Sequence, residues 1–465
     1  MKISFKKILC LLCALALVFA LTACGGGSDT TSSSAASSDE GDVSYTQPEV
    51  EEGSKYADPN WNPYATISDS IKGSTVRFAT WVDHTETEGA MPLANFYDKT
   101  GLAIELFMVP ESGYVNSIMT KMASGDIPDV FVNNSGSTDF PVTLQIASPI
   151  NKVSTVDLQE PIWDQSMLAT TTIEGNVYLV NTIGSPWSGS NLVYYNKRIF
   201  TENGFKTPED YFSEGKWTWD NLLKCAKNIK TLGDDYKGVY VSSDDFISSL
   251  STGFMKYDSA SSRFVSGVND TRLLEGYQWY ADARDEGLLD GSMNAFQQGK
   301  CALVVRGPYG LKTNGYFIDM DQKDIGYTYL PSWEEGEKFV TSAVFRMYGI
   351  IDGAPNADAA GYFIRYWLDP ANYDLNNAFI SVAAGNFYYG LTNIPATEKY
   401  FPRDYSCLSL IGEASNTLYT KVRQVSSAGV KTAIDEVSNV VDKAVEAANK
   451  IVDDKLKVDR EKYAK

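Results

Sequence analysis

The sequence predicts an α/β protein in which mostly parallel sheets are flanked by helices, laid out as two successive series. At 465 residues the chain has length for about two or three domains. From Thr75 onward, strand-length apolar runs alternate with segments whose apolar residues recur at the helical period. The alternation restarts near Asn191, giving two shorter series where a single large barrel would show one regular eightfold pattern.

The N-terminus reads as an address and an anchor. Lys2, Lys6 and Lys7 precede the apolar run Ile8 to Ala20, long enough for a signal peptide but short of the roughly 20 residues that span a bilayer. Leu21-Thr22-Ala23-Cys24-Gly25 resembles the bacterial lipobox, so residues 1–23 are expected to be removed and Cys24 to carry a diacylglyceryl group. Two acyl chains anchor stably where one is marginal. Residues 24–44 are rich in Gly and Ser and read as a flexible tether; residues 45–72 carry Trp61 and Tyr64 and read as a partly ordered lead-in. Asp58, Asn60, Asn62 and Asp69 share a calcium-loop spacing, but Pro63 stands where that loop needs Gly, so no metal is expected.

In the first series Val76 to Trp81 is a buried strand, Met91 to Lys99 a helix and Leu102 to Val109 the next strand. A second helix with Tyr114, Ile118, Met119 and Met122, a turn at Gly125 to Pro128 and a strand at Asp129 to Val132 complete a βαβαβ unit. The second series opens on the strand Asn191 to Asn196. Thr218 is placed to cap a helix with the stripe Trp219, Leu222, Leu223, Ala226 and Ile229. Asp270 to Glu286 forms another helix and Cys301 to Val305 another strand. From Ile434 to Val452 apolar residues again recur at the helical period, as on a helix packed against the body.

Composition narrows the function. The 40 basic and 59 acidic residues give a net charge of −19, and losing three lysines with the leader leaves 37 against 59, or −22. Nucleic acid requires a basic footprint, so that partner is excluded. His84 is the only histidine, which disfavours Ser-His-Asp and Cys-His catalysis and excludes multi-histidine metal sites. No nucleophile elbow or phosphate loop occurs. Beyond the leader and the lipidated Cys24, Cys225, Cys301 and Cys407 remain, an odd number expected to be buried thiols.

Several segments resemble, in order, those of the extracellular solute-binding proteins of ABC importers, the group that includes maltose-binding protein. They are Phe96 to Gly101, Ala123 to Val130, Glu174 to Tyr178, Tyr195-Asn196-Lys197, Trp217 to Leu222, Phe296 to Ala302 and Tyr329-Leu330-Pro331, after the strand that ends in Trp81. Where members of that family often read G-K-A-A-M, this chain has Gly299-Lys300-Cys301-Ala302-Leu303, a difference that touches packing.

The resemblance implies a periplasmic-binding-protein fold of two lobes with the ligand cleft between them. Residues 73–188 and 331–369 would form lobe 1, and 189–330 and 370–465 lobe 2, with crossings near 185–189, 331–333 and 369–370. It also implies a non-enzymatic cell-surface lipoprotein without cofactor, monomeric, that binds a carbohydrate and delivers it to ABC permease subunits. The alternatives are a surface glycoside hydrolase and a sugar-sensing or adhesion lipoprotein of the same fold.

A sugar site needs aromatic planes and polar side chains. Trp81, Asp83 and His84 end the first strand: Trp81 is a ligand or rim residue or part of the core, and His84 an exposed loop residue or a contact. Glu111 and Asn133 follow the next two strands and either bridge hydroxyls or serve local capping. Arg306-Gly307-Pro308-Tyr309 resembles the N-G-P-W of the maltose-binding member, so Tyr309 inherits the stacking role by that match. Arg306 suits an acidic sugar or a structural salt bridge. Trp187 and Trp333 line the cleft or pack the hinge.

Overall fold

The computed structural model describes residues 42–43, 45, 48–87, 89–134, 140–187, 189–258, 260–313, 315–317, 319–337, 343–344, 346–392 and 420–463. The expected leader, Cys24, all of the tether but its last residues and Cys407 lie outside the described residues.

Two sheets organise the two lobes. The first uses β1 (Thr75–Thr80), β2 (Ala103–Met108), β3 (Val130–Asn134) and β4 (Ala147–Ser148). Next come the short β5 (Gly189–Ser190), then β6 (Leu192–Asn196), β7 (Lys237–Tyr240), β8 (Cys301–Arg306) and β9 (Ile325–Thr328). The short β10 (Ala343–Val344) precedes β11 (Arg346–Ile351). The sheets have the orders β2-β1-β3-β11-β4 and β9-β6-β8-β7, and β5 pairs with β10 in a ladder of its own.

One strand in each sheet runs against the rest. β11 is antiparallel to β3 and β4, and β6 is antiparallel to β8 and β9, while β1 is parallel to β2 and β3 and β7 to β8. The reversed strands are the two that follow the ladder: β5 leads into β6 and β10 into β11. A chain arriving from the end of a sheet where the other strands finish must run opposite to them. The sheets are therefore mixed, and the reversal marks where the chain crosses between lobes.

Local chemistry explains the elements. The helix Trp219–Lys230 starts where Thr218 accepts from the Asn221 amide at 3.2 Å, and the helix Thr271–Asp285 where Asp270 accepts from Arg272 at 3.0 Å. Cys225 and Cys301 are buried, and burial pushes their thiols up to about 12 and about 11. Asp129 is fully buried and accepts from the backbone amides of Arg77 and Asn356, at 2.8 and 2.7 Å, tying the start of β3 to β1 and to the helix Ala357–Trp367. Asp126, beside it, pairs with Arg77 at 2.8 Å.

Two placements differ from the sequence reading. The amide of Ser332 donates to the carbonyl of Trp217 and Trp333 packs with Phe246 and Trp279, so 331–333 still belong to the second lobe and the return crossing lies downstream, at β10. The C-terminal helix, α1 (Val430–Tyr463), has 34 residues and is about 51 Å long, more than one lobe can cover. Val430, Ile434, Val437 and Val441 sit in the core of the second sheet, whereas Ala444, Ala448, Val452 and Leu456 sit in the core of the first. Its second half thus packs on the first lobe, outside the 370–465 assignment to the second. The lead-in is ordered across both: Val43 is buried beside Phe379 and Ala384, Tyr45 donates to the carbonyl of Ile183 at 2.9 Å, and Tyr64 and Ile67 join the first core. Among the described residues no helix is long and apolar enough to cross a membrane.

Candidate functional site

The ladder places the carboxyl ends of both sheets beside one another. At the end of β3, Asn134 pairs in register with Arg346, two residues beyond Val344 of the ladder; at the end of β8, Arg306 pairs with Leu192, two residues beyond Ser190. Ligands of open α/β sheets bind at such carboxyl ends. A cavity of about 440 Å³ borders the opposite edge of the first sheet instead, lined by Ser74, Ser148, Lys152, Asn356 and Lys462.

On the second lobe, Arg306 donates from Nη2 to the Tyr240 hydroxyl at 2.7 Å, and its guanidinium carbon stands 4.7 Å from that ring's centre. Three residues on, Tyr309 is 38% exposed and meets Tyr316, 36% exposed, edge to face. Burial raises the Tyr316 hydroxyl above its ordinary 10.0, Arg306 and Arg346 act to lower it and Asp245 to raise it, so the hydroxyl lies within electrostatic reach of charges from both lobes.

A family model described as bacterial extracellular solute-binding protein matches residues 72–374. The chain belongs to this family. Among solved structures of similar fold, the sugar-binding protein MalE of Xanthomonas citri superposes with a TM-score of 0.60 at 15% identity, covering 82% of this chain and 99% of that one. An extracellular solute-binding protein of Staphylococcus aureus in complex with maltose gives 0.59 at 14%, covering 80% and 98%. An ABC substrate-binding protein of Listeria monocytogenes in complex with cycloalternan gives 0.57 at 14%, with the same coverages. Identities this low establish fold alone. No curated protein matches the chain in sequence.

In this solute-binding protein the residues singled out from sequence fall into four groups. Arg306 and Tyr309 stand together at the carboxyl end of the second sheet. His84 and Trp187 meet inside the hinge: His84 is buried, stacked on Phe78, and its ring centre lies 5.0 Å from those of both Trp187 and Trp367. Trp187 stacks on Trp367 at 5.0 Å and donates to the Tyr373 hydroxyl at 2.9 Å, so its indole holds the crossing. Trp333 belongs to the separate Phe246–Trp279 cluster.

The remaining residues line the carboxyl edge of the first sheet. Trp81 is half-buried, edge-on to Tyr114 at 5.1 Å. Asp83 caps the turn His84–Glu86, and hydrogen bonds from Thr85 hold its carboxyl below the ordinary 3.8. Glu111 is exposed in the turn after β2, and Asn133 is buried on β3 opposite Met347. Sequence reasoning missed Arg346, Tyr316 and Tyr240. Tyr316 follows Tyr309 closely enough to have been grouped with it; Arg346 is found only through the pairing of β11 with β3.

Proposed function

We propose that this solute-binding protein captures a carbohydrate, an oligosaccharide, between its lobes and delivers it to the permease of an ABC transporter without turning it over. The observation that carries this reading is the half-exposed Tyr309–Tyr316 pair beside Arg306, which offers flat apolar faces next to charge-assisted donors, the combination a pyranose ring requires. The maltose and cycloalternan named for proteins of the same fold support it. Closure is a rotation about the β5–β10 ladder, with bound ligand supplying the free energy that favours the closed state. Cys24 carries diacylglycerol and holds the protein at the extracellular face of the cell membrane as a monomer.

Thermal shift of the full chain across an oligosaccharide panel tests the capture. A ligand at 100 times its Kd adds about 2.7 kcal/mol of stability. Silence from every glycan, or recovery of cleaved product, overturns the reading. For the anchor, Cys24→Ala releases the protein from the membrane; unchanged membrane association with no lipid on the mature N-terminus refutes it.

A further inference from the structure

Arginine in this acidic protein is nearly always paired. Of the ten arginines among the described residues, eight hold a carboxylate oxygen at 3.7 Å or closer. The two that do not are Arg306 and Arg346, and these are the two that flank the interlobe ladder.

Each is poised in a way that leaves donors over. The Tyr240 hydroxyl is the hydrogen-bond partner of the Arg306 side chain among the described residues, and its Nε is buried without a partner. A buried donor in that state costs free energy until something accepts from it. Arg346 stands with its guanidinium carbon 5.7 Å from the Trp187 ring centre and makes no side-chain hydrogen bond or ion pair among the described residues. Both guanidiniums lie within electrostatic reach of the Tyr316 hydroxyl. The acid within the same range, Asp245, is engaged by Asn191 at 2.9 Å and by Ser242 at 2.7 Å. In a chain of net charge −19, two such cations at one cleft are an exception to its own pattern.

We propose that the cleft selects a carbohydrate bearing an anionic group, a uronate carboxylate or a sulfate ester, held between Arg306 of the second lobe and Arg346 of the first. This rests on the carbohydrate reading above and narrows it. A guanidinium presents a planar fork of donors that matches a carboxylate or sulfate, whereas a neutral hydroxyl satisfies it poorly. Because the two forks come from opposite lobes, the anion is gripped by both only when they are brought together, so ligand charge also favours closure.

The test titrates the full chain with an oligosaccharide panel in which each neutral member has a uronate and a sulfated counterpart of the same length. The expected result is that the tightest binder is charged, and that its neutral counterpart binds at least about tenfold more weakly. Arg306→Gln and Arg346→Gln each weaken the charged ligand by about tenfold or more, and by more than they weaken its neutral counterpart, and Arg306→Lys, which keeps the charge but loses the fork, falls between. Should Arg306→Gln fail to fold, Arg346→Gln decides, since among the described residues that side chain makes no hydrogen bond or ion pair and only faces the Trp187 ring. A neutral glycan that binds as tightly as its charged counterparts overturns the proposal while leaving carbohydrate capture standing, as does charged-ligand affinity unchanged in both variants. No binding by any glycan overturns both.

Discussion

Tyr309 and Tyr316 meet edge to face, ring centres 5.2 Å apart with planes at 76°, and each ring remains more than a third exposed. Among the described residues most large aromatic side chains are buried, and many pack against one another in the cores. A mutually supported pair left in contact with solvent at the carboxyl end of a sheet is a rigid apolar platform, held at little entropic cost because each side chain has few rotatable bonds.

Removing one ring of that platform separates binding from folding. Tyr309→Ala is expected to weaken the captured glycan by at least about tenfold, since stacking and burial together contribute about 2 kcal/mol or more. The unliganded melting temperature should stay nearly unchanged. A large fall in that temperature with affinity intact would place Tyr309 in the core.

Trp187 should behave in the opposite way. Its indole stacks on Trp367, touches His84 and donates to Tyr373, so Trp187→Ala removes packing that holds the first crossing. The expected cost is about 3 kcal/mol or more, as for other large-to-small core changes, read by denaturant unfolding without ligand. A stability unchanged within error would show that the crossing is held by other contacts.

The long C-terminal helix packs on both cores and is expected to make the two lobes unfold together. Val441 is the last residue of α1 packed in the second core, just before Ala444, the first packed in the first core. Val441→Pro costs about 3 kcal/mol in helix propensity and is expected to give two calorimetric transitions where the parent is expected to give one. One cooperative transition in the variant would mean that the crossings alone couple the lobes.

Acid should release the end of the same helix. Burial acts to raise the Asp352 carboxyl, but Lys462 and Lys455 outweigh it and hold it below its ordinary 3.8. A carboxyl lowered in the folded state contributes stability that is full above its unfolded value and lost as pH falls through its folded one. Stability should therefore drop more steeply between roughly pH 5 and pH 3 in the parent than in Asp352→Asn. Parallel pH profiles of the two proteins would contradict this.

The sequence made some of this legible and not the rest, for physical reasons. Strands such as Cys301–Arg306 are apolar almost throughout because both faces are covered, and the caps Thr218 and Asp270 announce their helices by side chains that act only locally. The ladder strands Gly189–Ser190 and Ala343–Val344 are two residues each, too short for any periodicity. Arg346 starts a strand whose place is set by a pairing with β3, across two hundred residues of intervening chain. His84 looked polar and local; its burial depends on Trp187 and Trp367, which reach it only after the crossing has formed.

The lead-in gives the molecule a mechanical property. A pull from the N-terminal side reaches Val43, lodged beside Phe379 and Gly385, before it reaches Tyr45 on Ile183 or Tyr64 in the first core. These contacts lie one after another along the strap and would give way in sequence, like tape lifted from one end. Shear on a sheet would need many hydrogen bonds to break at once. Tension is thus spent on the strap contacts first.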